Sequence, residues 1–276
     1  MRLCAFADEA SENVRGQIDA LKRNGIGLLE IRGVDGENIS DVTLTKAKEV
    51  KKMLDDAGIR VWSMGSPLGK HKMECDFAPH AEKIKRVMEL SYVFEAPRIR
   101  MFSFKPVAGD DAQTTKQKAL EHLGKLVDLT PADRILCHEN EKHIFGETPE
   151  SCLEIIKTFP RIRAVFDPAN FVQCGVDTLH AWRLLGEHVD YLHIKDALTD
   201  GTVVPAGQGA GNVSQIIKLY AARGGEVLTL EPHLQEFTGL SGLEGGGKVK
   251  TLGINYKDHD ESFDAAACAL KGLLNT

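Results

Sequence analysis

The chain has 276 residues, more than the usual domain but the right size for a single α/β barrel of about 250 residues. Hydrophobic residues at 42% and charged residues at 27% allow a large core and exclude a disordered class. A formal charge of −6 argues against a surface built to grip nucleic-acid phosphates.

Six cysteines are scattered without a C-x-x-C pair, and Asp8 and Glu9 cut off the short apolar start. Reduced thiols and no signal peptide are therefore expected. No apolar run approaches the roughly 20 residues needed to cross a bilayer. The expectation is a cytoplasmic protein that engages neither membrane nor nucleic acid.

Apolar, β-rich runs alternate with helical patterns eight times, which predicts parallel strands joined by crossover helices. The predicted strands are Leu3–Ala7, Leu28–Ile31, Val61–Met64, Ile99–Phe102, Arg134–Glu139, Ala164–Asp167, Tyr191–Ile194 and Val227–Glu231. Eight is the number that closes a barrel, so the expected fold is a (β/α)8 TIM barrel with 1–276 as one domain.

Between the strands, Ser11 is expected to cap a helix with Val14, Ile18 and Leu21 on one face and Gly25 as its stop. Further helices are predicted over Thr45–Ala57, Ala78–Phe94, Asp111–Leu129, Pro149–Phe159 (with Thr148 as cap), Thr178–Leu185, Val213–Arg223 and Ser262–Leu274. The Gly-rich stretch Gln235–Tyr256 is long enough for a lid or an ordered excursion.

Four metal-liking side chains stand at or near the ends of four successive predicted strands: Glu139, Asp167, His193 and Glu231. Their separations of 28, 26 and 38 residues approximate one βα unit each. Barrel enzymes place their chemistry at the carboxyl ends of the strands. Singly, each residue has a plainer reading: Asp167 before Pro168 can start a turn, and His193 can be a satisfied core histidine. Four in register point instead to a divalent cation. Three carboxylates and one imidazole suit Mn²⁺ first, with Mg²⁺, Co²⁺ or Zn²⁺ as alternatives.

The runs HENEKHIFGETPE, FDPANF, HIKD, PAGQGAGN and LEPH, in that order, resemble the xylose isomerase-like TIM-barrel superfamily of sugar isomerases and epimerases. EIRG, GSPLGK and FEAPRIRMFSF fit the second, third and fourth strand ends of its sugar-processing members. The resemblance implies that Glu139, Asp167, His193 and Glu231 are metal ligands, with Glu139 and Glu231 also the acid/base pair. Two departures stand out: Asn170 occupies a position where many sugar epimerases carry a histidine, and Gln208 and Ala210 replace two acids of the family's glycine loop.

Secondary candidates surround this set. Lys195 lies two residues after His193 and so on the same side of the strand, with Glu139 or a substrate oxygen as its partner, or Asp196 in a surface ion pair. Arg32 and Arg100 could fork onto a substrate hydroxyl or carboxylate, or brace carboxylates in the barrel. Lys70, beside His71 and Lys72, could hold an anionic tail. His233 could orient Glu231 or contact substrate. Trp62 could stack on a sugar face or pack in the core, and Gly207, Gly209 and Gly211 weakly suggest a phosphate cradle.

The expected activity is isomerisation or epimerisation of a ketose or related polyhydroxy carbonyl compound, by Glu-mediated proton transfer through an enediolate. A lyase such as an inosose or keto-sugar dehydratase shares the first step. An apurinic-site endonuclease and a non-catalytic sugar-binding barrel are the remaining alternatives. The partner is a small sugar-like molecule, and a homo-oligomer is compatible with such a barrel.

Overall fold

Short apolar runs become the strands of a closed parallel barrel in the computed structural model of the protein, which describes residues 1–237 and 256–275. The barrel strands are β1 (Arg2–Ala5), β2 (Leu28–Ile31), β3 (Arg60–Gly65), β4 (Arg98–Met101), β5 (Ile135–Glu139), β6 (Ile162–Phe166), β7 (Val189–Ile194) and β8 (Val227–Leu230). They pair in sequence order, and β8 closes on β1 with Arg2 beside Val227 and Ala5 beside Leu230. Each expected strand is present, with ends displaced by a residue or two.

Parallel neighbours need crossovers. These are supplied by α1 (Val14–Arg23), α2 (Leu44–Asp56), α3 (Ala78–Val93), α4 (Ala112–Asp128), α5 (Pro149–Thr158), α6 (Pro168–Gln173), α7 (Thr178–Leu185) and α8 (Val213–Ala222), with α9 (His259–Leu274) after the last strand. Thr148 caps α5 as expected, accepting the Ser151 N–H. The cap of α1 is Asn13 rather than Ser11, because Asn13 is the extended residue directly before Val14 and its side chain accepts the Gly16 N–H at 2.9 Å. The short α6 was not expected. Most of the Gly-rich stretch, 238–255, lies outside the described residues.

The core has two parts. Leu29, Ile31, Met64, Ile99, Leu192 and Leu230 join the layer between strands and helices. Inside the barrel, Cys4, Leu28, Cys137, Val165, Tyr191 and Val227 form an apolar floor against Trp62 and Ile135. Burying each large apolar side chain contributes about 1.5–3 kcal/mol. Trp62 is part of this floor, with the Arg98 guanidinium 3.7 Å from its ring centroid, so its role is packing at the end opposite the strand termini. Above the floor, the mouth of the barrel is polar.

Candidate metal centre

Strand length sets where each candidate ligand stands. Glu139 is the last residue of β5, His193 the last but one of β7, and Asp167 and Glu231 directly follow β6 and β8. All four are buried, and one ligand atom from each lies within 4.8 Å of every other. The expected group is thus brought together at one point in the barrel mouth.

Asp167 is held by its neighbours in sequence and space. Its Oδ1 accepts the Asn170 N–H at 3.0 Å, which makes it the N-cap of α6, with Pro168 in the first turn. Asn140 clamps its backbone: the amide Nδ2 donates to the Asp167 carbonyl and Oδ1 accepts the Asp167 N–H, both at 2.9 Å. Cap and candidate ligand are therefore one residue, each role using a different oxygen.

Glu139 Oε1 accepts from Asn170 Nδ2 at 3.2 Å, and Arg100 Nη1 lies 3.4 Å from Oε2. Glu231 is held from behind, where Arg32 Nη1 donates to Oε1 at 3.1 Å and His233 Nε2 stands 3.3 Å from the same oxygen. Its Oε2 faces the centre, 3.4 Å from His193 Nδ1 and 3.3 Å from Lys195 Nζ.

Lys195 also reaches Asp167 Oδ2 at 2.9 Å, although the angle is too poor for a hydrogen bond. Its partners are thus Asp167 and Glu231. Asp196 is engaged elsewhere: its carboxylate accepts the amides of Ala197, Gly207, Gly209 and Gly211, each at 2.9 Å. That corrects the cradle reading, since the glycine amides are already filled by an internal acid.

Electrostatics follow from crowding acids in a dry site. Burial, together with Glu231 and Glu139, pushes the Asp167 carboxyl up to about 7 against the pull of Lys195. Burial opposes charge on His193 as well, but Glu139 and Glu30 win and hold the imidazole well above its ordinary value. Burial would likewise raise Glu231, yet Lys195 and His233 draw it well below the carboxylate range.

The residues fit a divalent cation. Among the described residues, the buried atoms Glu139 Oε2, Asp167 Oδ2 and His193 Nδ1 have no hydrogen-bond partner, and each belongs to the four-residue group. Buried polar atoms are normally satisfied, so two carboxylate oxygens and a ring nitrogen without hydrogen bonds around one point fit a cation, to which each would offer a lone pair. The set of three carboxylates and one imidazole matches a hard or borderline metal. A second group, Glu9, Glu231 and His233, has comparable spacing. Arg32 already fills it, bonding Glu9 Oε1 at 3.0 Å and both oxygens of Asp8 besides Glu231.

Of the other expected residues, Asn170, Lys195, Arg32, Arg100 and His233 all border the centre. Lys70 stands further out, 3.1 Å from Glu141, with its ammonium 4.4 Å from the Phe102 ring centroid. Sequence reasoning missed Asn140, Glu9 and Glu30. Glu30 had a signal, being an acid inside the apolar strand LLEI that must find a buried partner.

A model of the xylose isomerase-like TIM barrel family matches residues 18–243. The chain belongs to that family. No curated protein sequence matches it significantly. Among solved structures, the fold is similar to a D-allulose 3-epimerase from Methylomonas sp. (TM-score 0.76, 15% identity, covering 100% of this chain and 97% of that one). It is similar also to an IOLI protein with a binding zinc atom (0.74, 15%, 100% and 98%). A third likeness is to the probable 3-DHS dehydratase AsbF from Bacillus anthracis (0.73, 16%, 98% and 99%). At such identities these likenesses establish the fold, in a family of enzymes. No helix among the described residues is long and apolar enough to cross a membrane.

Proposed function

We propose that this family member is a divalent-metal-dependent isomerase or epimerase of a ketose or related polyhydroxy carbonyl compound. The observation that carries the reading is the pair Glu139 and Glu231, brought from two strands into one cluster of ligand atoms and each steadied by its own donors. Glu139, Asp167, His193 and Glu231 would hold the cation, with Mn²⁺ favoured by the oxygen-rich set. When bound, it supplies Lewis acidity that stabilises negative charge developing on substrate oxygens.

The chain's own residues move the protons. One glutamate removes hydrogen from the carbon next to the carbonyl and the other returns one, through an enediolate; a carboxylate fixed at a strand end loses little freedom in doing so. Arg32 and His233 orient Glu231, and Asn170 and Arg100 orient Glu139 and offer donors to substrate hydroxyls. Lys195, between Asp167 and Glu231, stands where it can steady a substrate oxygen. Lys70 lies further out, for the distal end of the substrate. In this reading 1–276 acts as one cytoplasmic domain on a small sugar.

The lyase reading shares the first step, and Lys195 favours it in one respect: a buried ammonium at the centre is a proton donor for a departing β-hydroxyl. Incubation with Mn²⁺ and a panel of ketoses in D₂O separates the readings. Deuterium next to the carbonyl of an isomeric product supports the isomerase. Loss of water with an absorbing enone supports the lyase. Sugar binding without any C–H exchange identifies a non-catalytic barrel and overturns the proposal.

A further inference from the structure

Glu30 is fully buried at the centre of β2, between Leu29 and Ile31, which face the helices. Strand alternation sends it into the lumen, and the pairing register of β2 against β3 slips at this residue. Such irregularities aim side chains beside functional sites. It lies above the apolar floor and outside the four-residue ligand group.

Both carboxylate oxygens are committed to β7, across the lumen. Oε1 accepts the Tyr191 hydroxyl at 2.8 Å, and that hydroxyl also lies 3.1 Å from Ser63 Oγ. Oε2 is 3.1 Å from His193 Nε2. Tyr191 and His193 are two residues apart and so share a face of the strand. Phe6 packs edge-on against the imidazole, with ring centroids 5.1 Å apart and planes at 78°.

The two ring nitrogens of a histidine do different work, and the partner of one decides the role of the other. With Nε2–H donating to Glu30, Nδ1 points to the centre, 3.2 Å from Glu139 Oε1 and 3.4 Å from Glu231 Oε2, without a hydrogen bond among the described residues. We propose that Glu30 is the positioning residue of the centre: it fixes the His193 ring so that Nδ1 is the coordinating atom, and strengthens that nitrogen as a ligand. The inference rests on the metal-centre reading and adds to it a carboxylate–histidine–metal chain running through the barrel from β2 to β7.

Mn²⁺ titration by calorimetry tests this on the intact protein. Glu30→Ala should weaken Mn²⁺ binding about 10- to 100-fold. Glu30→Gln, which keeps an acceptor for Nε2–H but not the charge, should recover part of the loss. Tyr191→Phe removes the other bond only and should bind nearly as the parent does. In the Zn²⁺-loaded protein, ¹⁵N-histidine NMR should show His193 protonated at Nε2 and coordinated at Nδ1. Coordination through Nε2, or unchanged affinity in both Glu30 variants, overturns the assignment.

If Glu30→Ala does not fold, the isosteric Glu30→Gln carries the same test. A parent protein that binds no Mn²⁺ sinks the metal centre, and Glu30 is then judged on the metal-free protein. There, a hydrogen-bonded His193 Nε2–H proton seen in the parent and lost in Glu30→Ala upholds the positioning role. Equal signals in both overturn it.

Discussion

Asn140 and Asp167 grip one another as strand neighbours do, except that one partner uses a side-chain amide: both hydrogen bonds, to the Asp167 N–H and carbonyl, measure 2.9 Å. The clamp lies just past the end of β6, where the ladder gives out and a candidate ligand is still held in place. Asn140→Ala strands two buried backbone groups, each costing about 1–3 kcal/mol. Urea unfolding should show a loss of about 2–4 kcal/mol, and Mn²⁺ affinity should fall with it. Unchanged stability would mean the backbone finds other partners.

Glu139→Gln and Glu231→Gln keep the volume of the side chain but remove the base. Proton transfer by a placed group contributes about 10²- to 10⁴-fold, so turnover should drop by at least that much in each variant. Mn²⁺ binding should weaken too, because both residues belong to the candidate ligand group. Deuterium exchange and calorimetry on the same samples check the two losses. Near-parental exchange in either variant removes that residue from the acid/base pair.

Lys195 is the cation nearest the candidate ligands, 2.9 Å from Asp167 and 3.3 Å from Glu231. Removing one partner of a buried ion pair costs about 3–5 kcal/mol, so metal-free Lys195→Met should melt well below the parent. Added Mn²⁺ restores the missing positive charge. Binding stabilises in proportion to the logarithm of Mn²⁺ concentration over Kd, so at one fixed Mn²⁺ concentration the melting-temperature gain should be larger in Lys195→Met than in the parent. A chelator should reverse the gain and abolish exchange activity. An equal gain in both proteins would place the ammonium outside the cation's field.

His80 on α3 supplies a pH dependence remote from the centre. Its ring is stacked on His71 and its Nε2 accepts the Gly69 N–H at 3.3 Å, which requires a neutral imidazole. Burial, with His71, Lys83 and His122 nearby, lowers it to about 4. The unfolded chain takes up this proton near pH 6.5, the folded chain only near 4. Stability is therefore whole above pH 6.5 and declines by about 1.4 kcal/mol per unit below it, about 3 kcal/mol in all by pH 4. His80→Gln should flatten this part of the profile in denaturation series run from pH 7 to 4. A variant with the parent's slope would assign the loss to other groups.

The barrel was legible because each strand is a compact apolar run and each major helix repeats on one face; those signals are local. Glu139, Asp167, His193 and Glu231 were legible because a parallel barrel converts regular spacing into convergence at one end. α6 escaped notice because six residues are too few for a helical period, and Asp167–Pro168 read as a turn. Ser11 was expected as the cap of α1 and Asn13 serves instead; both residue types can cap, and where the backbone turns helical decides between them. Glu30, Glu9 and Asn140 were missed for another reason. Their partners lie across the lumen or on the next strand, and no sequence interval encodes a contact between Glu30 and His193. The surroundings of Lys195 were half right: it points to the site, but toward Asp167 and Glu231 rather than Glu139.

The loop from 207 to 211 is closed tightly on Asp196. A Cβ on Gly209 would come within 2.3 Å of Asp196 Oδ1, so the acid leaves no space between itself and the chain that encircles it. Many barrels keep the amides after their seventh strand open to receive the phosphoryl tail of a sugar. Here that berth is taken by a resident anion, and the glycine amides are no longer open to a phosphoryl group.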